Sequence, residues 1–250
     1  MGPPEVTRED QTRPAFYAAR PGGARDWWTV LHPPYTAWHL SYVVVGACLA
    51  PAVELSRLLA TLLAFFLAVG VAAHAYDELQ GRPLRTGIPS WALVTSCVGG
   101  LAGALVLGTF GVIEVGAVLV PFLVVGPLLV VAYNADLLGG AFHTDVGFAL
   151  SWGAFPVLTA YVAQAGELSW SAVLAAGGAT TLSLAQRALS TPARQLRRRV
   201  VEVQGTVRQG DGSESHIDRA RLLAPLERGL RTLTWASVLL AAALAVFRLG

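Results

Sequence analysis

The sequence is poor in the residues that cross-link small proteins or bind metals in them. It has two cysteines, Cys48 and Cys97, and both fall inside apolar runs, where a thiol usually behaves as a small hydrophobic group. Their number and placement indicate neither a disulfide framework nor a zinc site. Lysine is absent, so all 18 basic residues are arginines. The positions of these arginines therefore carry more information than the net charge of +2.

Charge is also scarce along the chain. Charged residues make up 14% of the 250 residues and hydrophobic residues 54%, and the mean hydropathy is +0.54. Such a chain cannot bury its apolar surface in one soluble core, so lipid must be part of its solvent. The sequence therefore predicts an all-α polytopic membrane protein with about seven transmembrane helices of about 20 residues each. The predicted spans are 38–53, 55–76, 90–110, 112–133, 145–165, 168–188 and 232–249.

The arginines predict the orientation in the membrane. Residues 1–37 contain no apolar region like that of a secretory signal, so they are predicted to form a cytosolic or interfacial tail. If the N-terminus is cytoplasmic, every arginine except Arg57 and Arg248 lies on the inside. This asymmetry favours a cytoplasmic N-terminus and a C-terminus outside. The predicted location is the inner, or cytoplasmic, membrane if the chain is bacterial.

A polar stretch separates the last apolar run from the others. Residues 38–188 are predicted to form a six-helix membrane region, 189–231 an arginine-rich cytosolic insert, and 232–250 the C-terminal transmembrane helix. Within the insert, alternating valines before a Gly-Asp-Gly turn predict a small β-hairpin. Apolar residues then recur at helical spacing from Ile217 to Leu230, which is typical of an amphipathic helix on an anionic leaflet. The insert is also the predicted contact for a cytosolic protein partner.

Other features are explained most simply by packing. Glycines at 99–103 and at 177–178 form small-residue patterns that predict close approach between helices. His32 and His39 flank the first span beside aromatic residues, which is typical of an interfacial belt. None of these residues requires a catalytic role.

Polar side chains gather at the predicted cytoplasmic ends of three spans. These residues are His74, Asp77 and Glu78 after the second span, Asp136, His143 and Asp145 before the fifth, and Gln186 and Arg187 after the sixth. On a helix, His74 lies one turn before the two acids, so an imidazole and carboxylates share a side, as in a magnesium or diphosphate site. Acids at a membrane boundary are also commonly paired, and Asp77 or Glu78 with Arg82 is such a pair. Both interpretations stay open on spacing alone.

The end of the second span matches part of a family motif. Residues 73–77 read Ala-His-Ala-Tyr-Asp, followed by Gly81. In this place the UbiA superfamily of intramembrane aromatic prenyltransferases has N-D-x-x-D and a glycine. The tyrosine, the last aspartate and the glycine are retained, and the first two positions are changed. The chain resembles this superfamily over roughly residues 38–190.

The likeness is closest to the menaquinone-pathway branch, which makes demethylmenaquinone. Tyr133 matches a tyrosine before that branch's fifth span, Asp145 takes the place of the glutamate in its L-G-E turn, and residues 152–166 look like the fifth span itself. At the end of the sixth span the family has an N-x-x-R-D-x-x-x-D type pattern. Residues 184–194 of this chain retain an arginine there but no acid.

The resemblance implies transfer of a polyprenyl group from its diphosphate to an aromatic or quinone-type acceptor, with Mg²⁺ screening the diphosphate. The candidate metal ligands are His74, Asp77, Glu78 and Asp145, and the candidate diphosphate-binding residues are Arg82, Arg85 and Arg187. His143 is a candidate acid or base. Tyr76, Tyr133 and Asp136 are further candidates for the site.

Two functions from different classes follow. The first is a UbiA-like membrane protein that binds an isoprenoid or other membrane lipid without standard catalysis, because the second acidic motif is missing. The alternative is a divergent magnesium-dependent prenyltransferase in which arginines replace the second metal. A transporter would need ionisable groups at mid-membrane, and the spans are almost free of them. No nucleic-acid partner is predicted.

Overall fold

The computed structural model describes residues 13–134 and 144–250, and it is mostly helical. We number the helices of the described residues α1 to α8 and the two strands β1 and β2. Two helices contain a π-helical segment, at Phe66–Ala73 and at Leu150–Ala154. The elements are α1 Ala24–Val30, α2 Pro33–Cys48, α3 Leu55–Leu79, α4 Ser90–Val115, α5 Val120–Asn134, α6 Asp145–Ala165, α7 Trp170–Arg198, β1 Gly205–Arg208, β2 Glu214–Ile217 and α8 Arg219–Leu249.

Four helices are long and apolar enough to cross a membrane, namely α3, α4, α6 and α8. A shorter apolar helical stretch covers Ala117–Tyr133. Helix α2 has 16 residues, and α7 has 29 but carries arginines in its last turn. The structure therefore confirms a helical protein with several candidate spans. The predicted spans 38–53, 112–133 and 168–188 overlap α2, Ala117–Tyr133 and α7, with different ends.

Small residues allow close contacts between helix backbones. A Cβ atom at Gly100 of α4 would lie 2.6 Å from the carbonyl oxygen of Leu67, in the π-helical segment of α3. A Cβ atom at Gly153 of α6 would lie 2.7 Å from the carbonyl oxygen of Ala179 in α7. At Gly177 and Gly178, by contrast, no described atom outside the surrounding turns of the same helix lies within 4 Å of a built Cβ. The predicted packing role is therefore wrong for these two glycines.

The region after residue 188 is more helical than the sequence predicts. Helix α7 continues ten residues further, to Arg198, in spite of Pro192. The predicted amphipathic helix and the last predicted span form the single helix α8. Between α7 and α8, β1 and β2 pair antiparallel with Gly205 opposite Ile217, in the stretch where alternation predicts a hairpin. An ion pair between Arg197 and Glu227 joins α7 to α8.

The two arginines predicted to lie outside are found at one end of the helical bundle. Arg57 Nη1 donates to the carbonyl oxygen of Gln164 at 3.2 Å, and Gln164 Oε1 accepts from the amide of Glu54 at 2.8 Å. Arg248 Nη2 donates to the carbonyl oxygen of Ala50 at 2.6 Å. Since α3 begins beside this network, its other end, with His74 and Asp77, lies at the opposite side of the bundle.

Candidate functional site

A polar cavity of about 370 Å³ lies between α2, α3, α5, α6, α7 and the N-terminal segment. One face of α7 supplies Gln186, Ser190, Arg194 and Arg198, which are spaced one helical turn apart. Helix α3 supplies His74 and Asp77, and the segment before α1 supplies Tyr17. The lining also includes His32, Tyr133 and Arg187. The cavity thus gathers polar groups from five parts of the chain.

A second, apolar cavity of about 500 Å³ adjoins the first. Val69 and Trp152 line both cavities, so the two spaces share a wall. The apolar cavity follows α3 from Ser56 to Val69, a helical distance of about 20 Å. Aromatic rings such as Phe65, Phe122 and Phe155 form part of its wall. A polar cavity and an apolar cavity therefore lie side by side.

Arginines dominate the charge of the polar cavity. Arg187 Nε donates to Asp145 Oδ1 at 2.9 Å, and its guanidinium lies 5.1 Å from the centre of the Phe148 ring. Arg194 donates to Thr191 Oγ1 at 3.5 Å, and Arg198 donates to a backbone carbonyl oxygen at 3.3 Å. Within the described ranges, neither Arg194 nor Arg198 forms an ion pair with an acid. The cavity therefore has an excess of positive charge.

Burial makes the positive charge of Arg198 energetically unfavourable. Arg198 lies ten residues beyond the predicted end of the sixth span. Its pKa is lowered from the ordinary value, and burial is the main cause. The neighbouring Arg194 lowers it further, and Tyr17 opposes the shift. The direction means that the environment of Arg198 does not fully compensate its charge. An anion in the cavity would supply that compensation.

Two histidines lie inside the protein at this cavity. His32 is 8% exposed and His39 is 7% exposed, so the predicted interfacial belt is wrong for both. The His32 ring stacks on the His74 ring with centroids 4.1 Å apart, and His39 Nδ1 lies 2.9 Å from the carbonyl oxygen of Trp152. Burial, followed by the charges of His74 and Arg198, holds the pKa of His32 well below its usual value. His32 is therefore neutral at pH 7.

Three buried polar atoms of the cavity lack a hydrogen-bond partner among the residues that the structure describes. They are His32 Nε2, Gln186 Oε1 and Ser190 Oγ. Gln186 is 6% exposed and Ser190 is 1% exposed. An unpaired buried polar group costs about 1–3 kcal/mol. Their grouping in one cavity indicates a space that a polar ligand completes.

The predicted metal ligands do not come together around one point. Glu78 is completely buried, and its carboxylate accepts hydrogen bonds from the amides of Leu84 and Thr86, each at 2.9 Å, and from the Thr86 hydroxyl at 2.8 Å. Asp145 is paired with Arg187. The part of the chain that the structure describes contains no cluster of three histidine, cysteine or acidic residues suited to a metal. Of the four candidates, His74 and Asp77 line the cavity, whereas Glu78 and Asp145 are not among its described lining residues.

The other predicted site residues divide into three groups. Arg187 and Tyr133 line the cavity, and Arg187 Nη1 lies 3.5 Å from the Tyr133 hydroxyl. Arg82 instead donates to the carbonyl oxygen of Ile88 and to Ser90 Oγ, at 2.5 and 2.8 Å. Arg85, which is exposed, and Tyr76 do not line the cavity either. Asp136 and His143 lie outside the described residues.

Sequence reasoning missed Arg194 and Arg198 as candidates for the site. A signal for them was present, since Gln186, Ser190, Arg194 and Arg198 recur every four residues, as polar residues do along one face of a helix. Because the helix was predicted to end at residue 188, Ser190, Arg194 and Arg198 were not assigned to it.

The geometry of Glu78 predicts a structural role that can be measured. We expect Glu78→Ala to lower the free energy of unfolding by about 1–3 kcal/mol, because the buried donors of Leu84 and Thr86 lose their acceptor. Thermal unfolding of purified protein would be followed with EDTA and with Mg²⁺, using Glu114→Ala at an exposed position as the control. The loss should be equal in both buffers. A loss seen only with Mg²⁺ would favour a metal ligand instead.

Comparison of the chain with protein-family models, with curated proteins and with solved structures gives no match.

Proposed function

We propose that this chain is a UbiA-like membrane protein that binds an isoprenoid or another lipid without standard catalysis. The tail of the lipid occupies the apolar cavity and its polar head occupies the polar cavity. The observation that carries the proposal is that a basic cavity and an apolar cavity lie next to each other and share Val69 and Trp152 as lining residues. Only an amphiphilic ligand matches both parts.

In this proposal the polar cavity faces the cytoplasm. The seven spans are α2, α3, α4, the helical stretch 117–134, α6, α7 and α8, with the N-terminus inside and the C-terminus outside. Two observations support this orientation. Arg57 and Arg248 both lie at the end of the bundle away from the polar cavity, and the arginine-rich connection between α7 and α8 follows the cavity directly. By the positive-inside rule, both observations favour a cavity in the cytoplasmic half.

A second candidate is the divergent prenyltransferase, and one observation favours it. Asp77, the retained aspartate of the first motif, lines the polar cavity together with Tyr133. Turnover would appear as release of diphosphate from a polyprenyl diphosphate in the presence of Mg²⁺ and an aromatic acceptor, and Asp77→Asn would abolish it. The lipid-binding function predicts that ligand binding survives without such turnover.

The apolar cavity provides the direct test of lipid binding. Ala64 and Ala68 of α3 line it, so Ala64→Trp should fill the space that the tail needs. In nanodiscs, we expect this variant to bind geranylgeraniol at least about tenfold more weakly than wild type, as loss of about 1.4 kcal/mol of binding free energy would produce. Leu63→Trp is the matched control, because Leu63 is 48% exposed on the outer surface of the same helix. Equal binding by both variants, or no binding by folded wild type, would contradict the proposal.

A further inference from the structure

The polar face of α7 has the composition of an anion site. Arg194 and Arg198 lie one turn apart, and Ser190 precedes them by another turn. Neither arginine has an acidic partner within the described ranges. Guanidinium groups present several N–H donors in a fixed plane, which matches the oxygens of a phosphate. The face therefore offers two positively charged donor groups side by side.

The unpaired atoms point to the same class of ligand. The Ser190 hydroxyl can donate to a phosphoryl oxygen, and so can His32 Nε2 when it carries the proton of the neutral ring. A half-turn of the Gln186 amide exchanges its oxygen for its NH₂ group, which is a donor. All three side chains are more than nine-tenths buried. A ligand rich in acceptor oxygens would satisfy each of them.

A divalent cation fits this cavity poorly. Glu78 uses its carboxylate to hold the loop after α3, and Asp145 faces Arg187. Asp77 is the one carboxylate among the described lining residues, against the guanidinium groups of Arg187, Arg194 and Arg198. Mg²⁺ prefers several oxygen ligands in a near-octahedral arrangement. Most of the charged groups that line the cavity are guanidinium groups instead.

We propose that Arg194 and Arg198, assisted by Ser190, bind the phosphate or diphosphate group of the ligand directly and without a bridging metal ion. This inference rests on the proposed function, because the apolar cavity supplies the lipid part of the same ligand. It assigns anion binding to α7 and not to Arg82 and Arg85, which lie off the cavity.

The test is equilibrium binding to the full chain in nanodiscs, with EDTA and with Mg²⁺. The probes are geranylgeranyl thiodiphosphate, which resists turnover, inorganic pyrophosphate and the uncharged geranylgeraniol. We expect the affinity for the thiodiphosphate to differ by no more than about twofold between the two buffers. Arg194→Gln and Arg198→Gln should each weaken it about ten- to hundredfold, the range for a charge-assisted hydrogen bond. Their binding of geranylgeraniol should not change, which also shows that these variants are folded.

Arg85→Gln is the matched control, because Arg85 is exposed and outside the cavity. Thiodiphosphate binding that disappears in EDTA and returns with Mg²⁺ would overturn the inference. So would binding that Arg85→Gln weakens as much as Arg194→Gln does. If geranylgeraniol binds and the thiodiphosphate does not, the inference fails while lipid binding stands, and if neither binds, both fail. Pyrophosphate that binds as tightly as the thiodiphosphate would support the arginine site and remove the lipid from the proposed function.

Discussion

Replacing Glu227 with alanine is expected to lower the free energy of unfolding by about 3 kcal/mol or more. Its carboxylate accepts from both Arg197 Nε and Arg197 Nη2, and the two side chains are 11% and 6% exposed. Without the carboxylate, the guanidinium of Arg197 loses two charge-assisted hydrogen bonds in a buried position. Because this pair joins α7 to α8, the cost falls on the packing of the C-terminal helix.

The hairpin supplies a control of the same chemistry. Arg208 pairs with Glu214 at 2.8 Å, but these side chains are 77% and 51% exposed. Exposed ion pairs contribute little to stability, so Glu214→Ala should leave the unfolding midpoint nearly unchanged. Chemical or thermal unfolding of both variants in one detergent measures the difference. Equal losses would show that burial of the Arg197–Glu227 pair does not govern its contribution.

The helical architecture followed from the sequence because the physical requirement is simple. A span must be long, apolar and satisfied in its own backbone hydrogen bonds, so continuous apolar runs predict helices such as α4 and α6 closely. The hairpin could be predicted for a similar reason, because alternating valines and a glycine-containing turn determine it locally. Local rules therefore predicted the elements.

The site was harder to predict because it depends on the direction of side chains. Asp77 and Glu78 are adjacent, and sequence reasoning treated them as one group. Successive residues on an α-helix point about 100° apart, since the helix has 3.6 residues per turn. One carboxylate consequently faces the cavity while the other binds the loop amides of Leu84 and Thr86.

Helix ends were the other source of error. Pro192 commonly marks the end of a helix, yet α7 includes it and continues to Arg198. Packing of α7 against α8, with Leu189 and Ala193 beside Leu223 and Leu230, outweighs the local preference of proline. The extra turns bring Arg194 and Arg198 to the cavity. The predicted end of this helix, at residue 188, is ten residues too early. The predicted site therefore lacked its main cationic groups.

Gly46→Ala is expected to prevent correct packing of α2 against α6. A Cβ atom at this position would lie 2.2 Å from the carbonyl oxygen of Val157 and 2.9 Å from its carbonyl carbon. These are backbone atoms of a helix, so no side-chain rotation relieves the overlap and the two helices must separate. Overpacking of a core costs about 1–3 kcal/mol when neighbours can adjust, and we expect this variant to exceed that range.

The separation should also affect ligand binding, because His39 of α2 contacts the carbonyl oxygen of Trp152, and Trp152 lines both cavities. Gly177→Ala is the matched control, since no described atom outside the surrounding turns of its own helix lies within 4 Å of a Cβ built there. Alanine also favours a helix over glycine by about 1 kcal/mol. The measurement is the yield of monodisperse protein, its unfolding midpoint and its binding of geranylgeraniol. Gly46→Ala should lower the yield, the unfolding midpoint and the binding of geranylgeraniol. Gly177→Ala should leave all three near the wild-type values. Comparable behaviour of the two variants would mean that α2 and α6 do not approach as closely as this geometry requires, and that the wall between the cavities is formed differently.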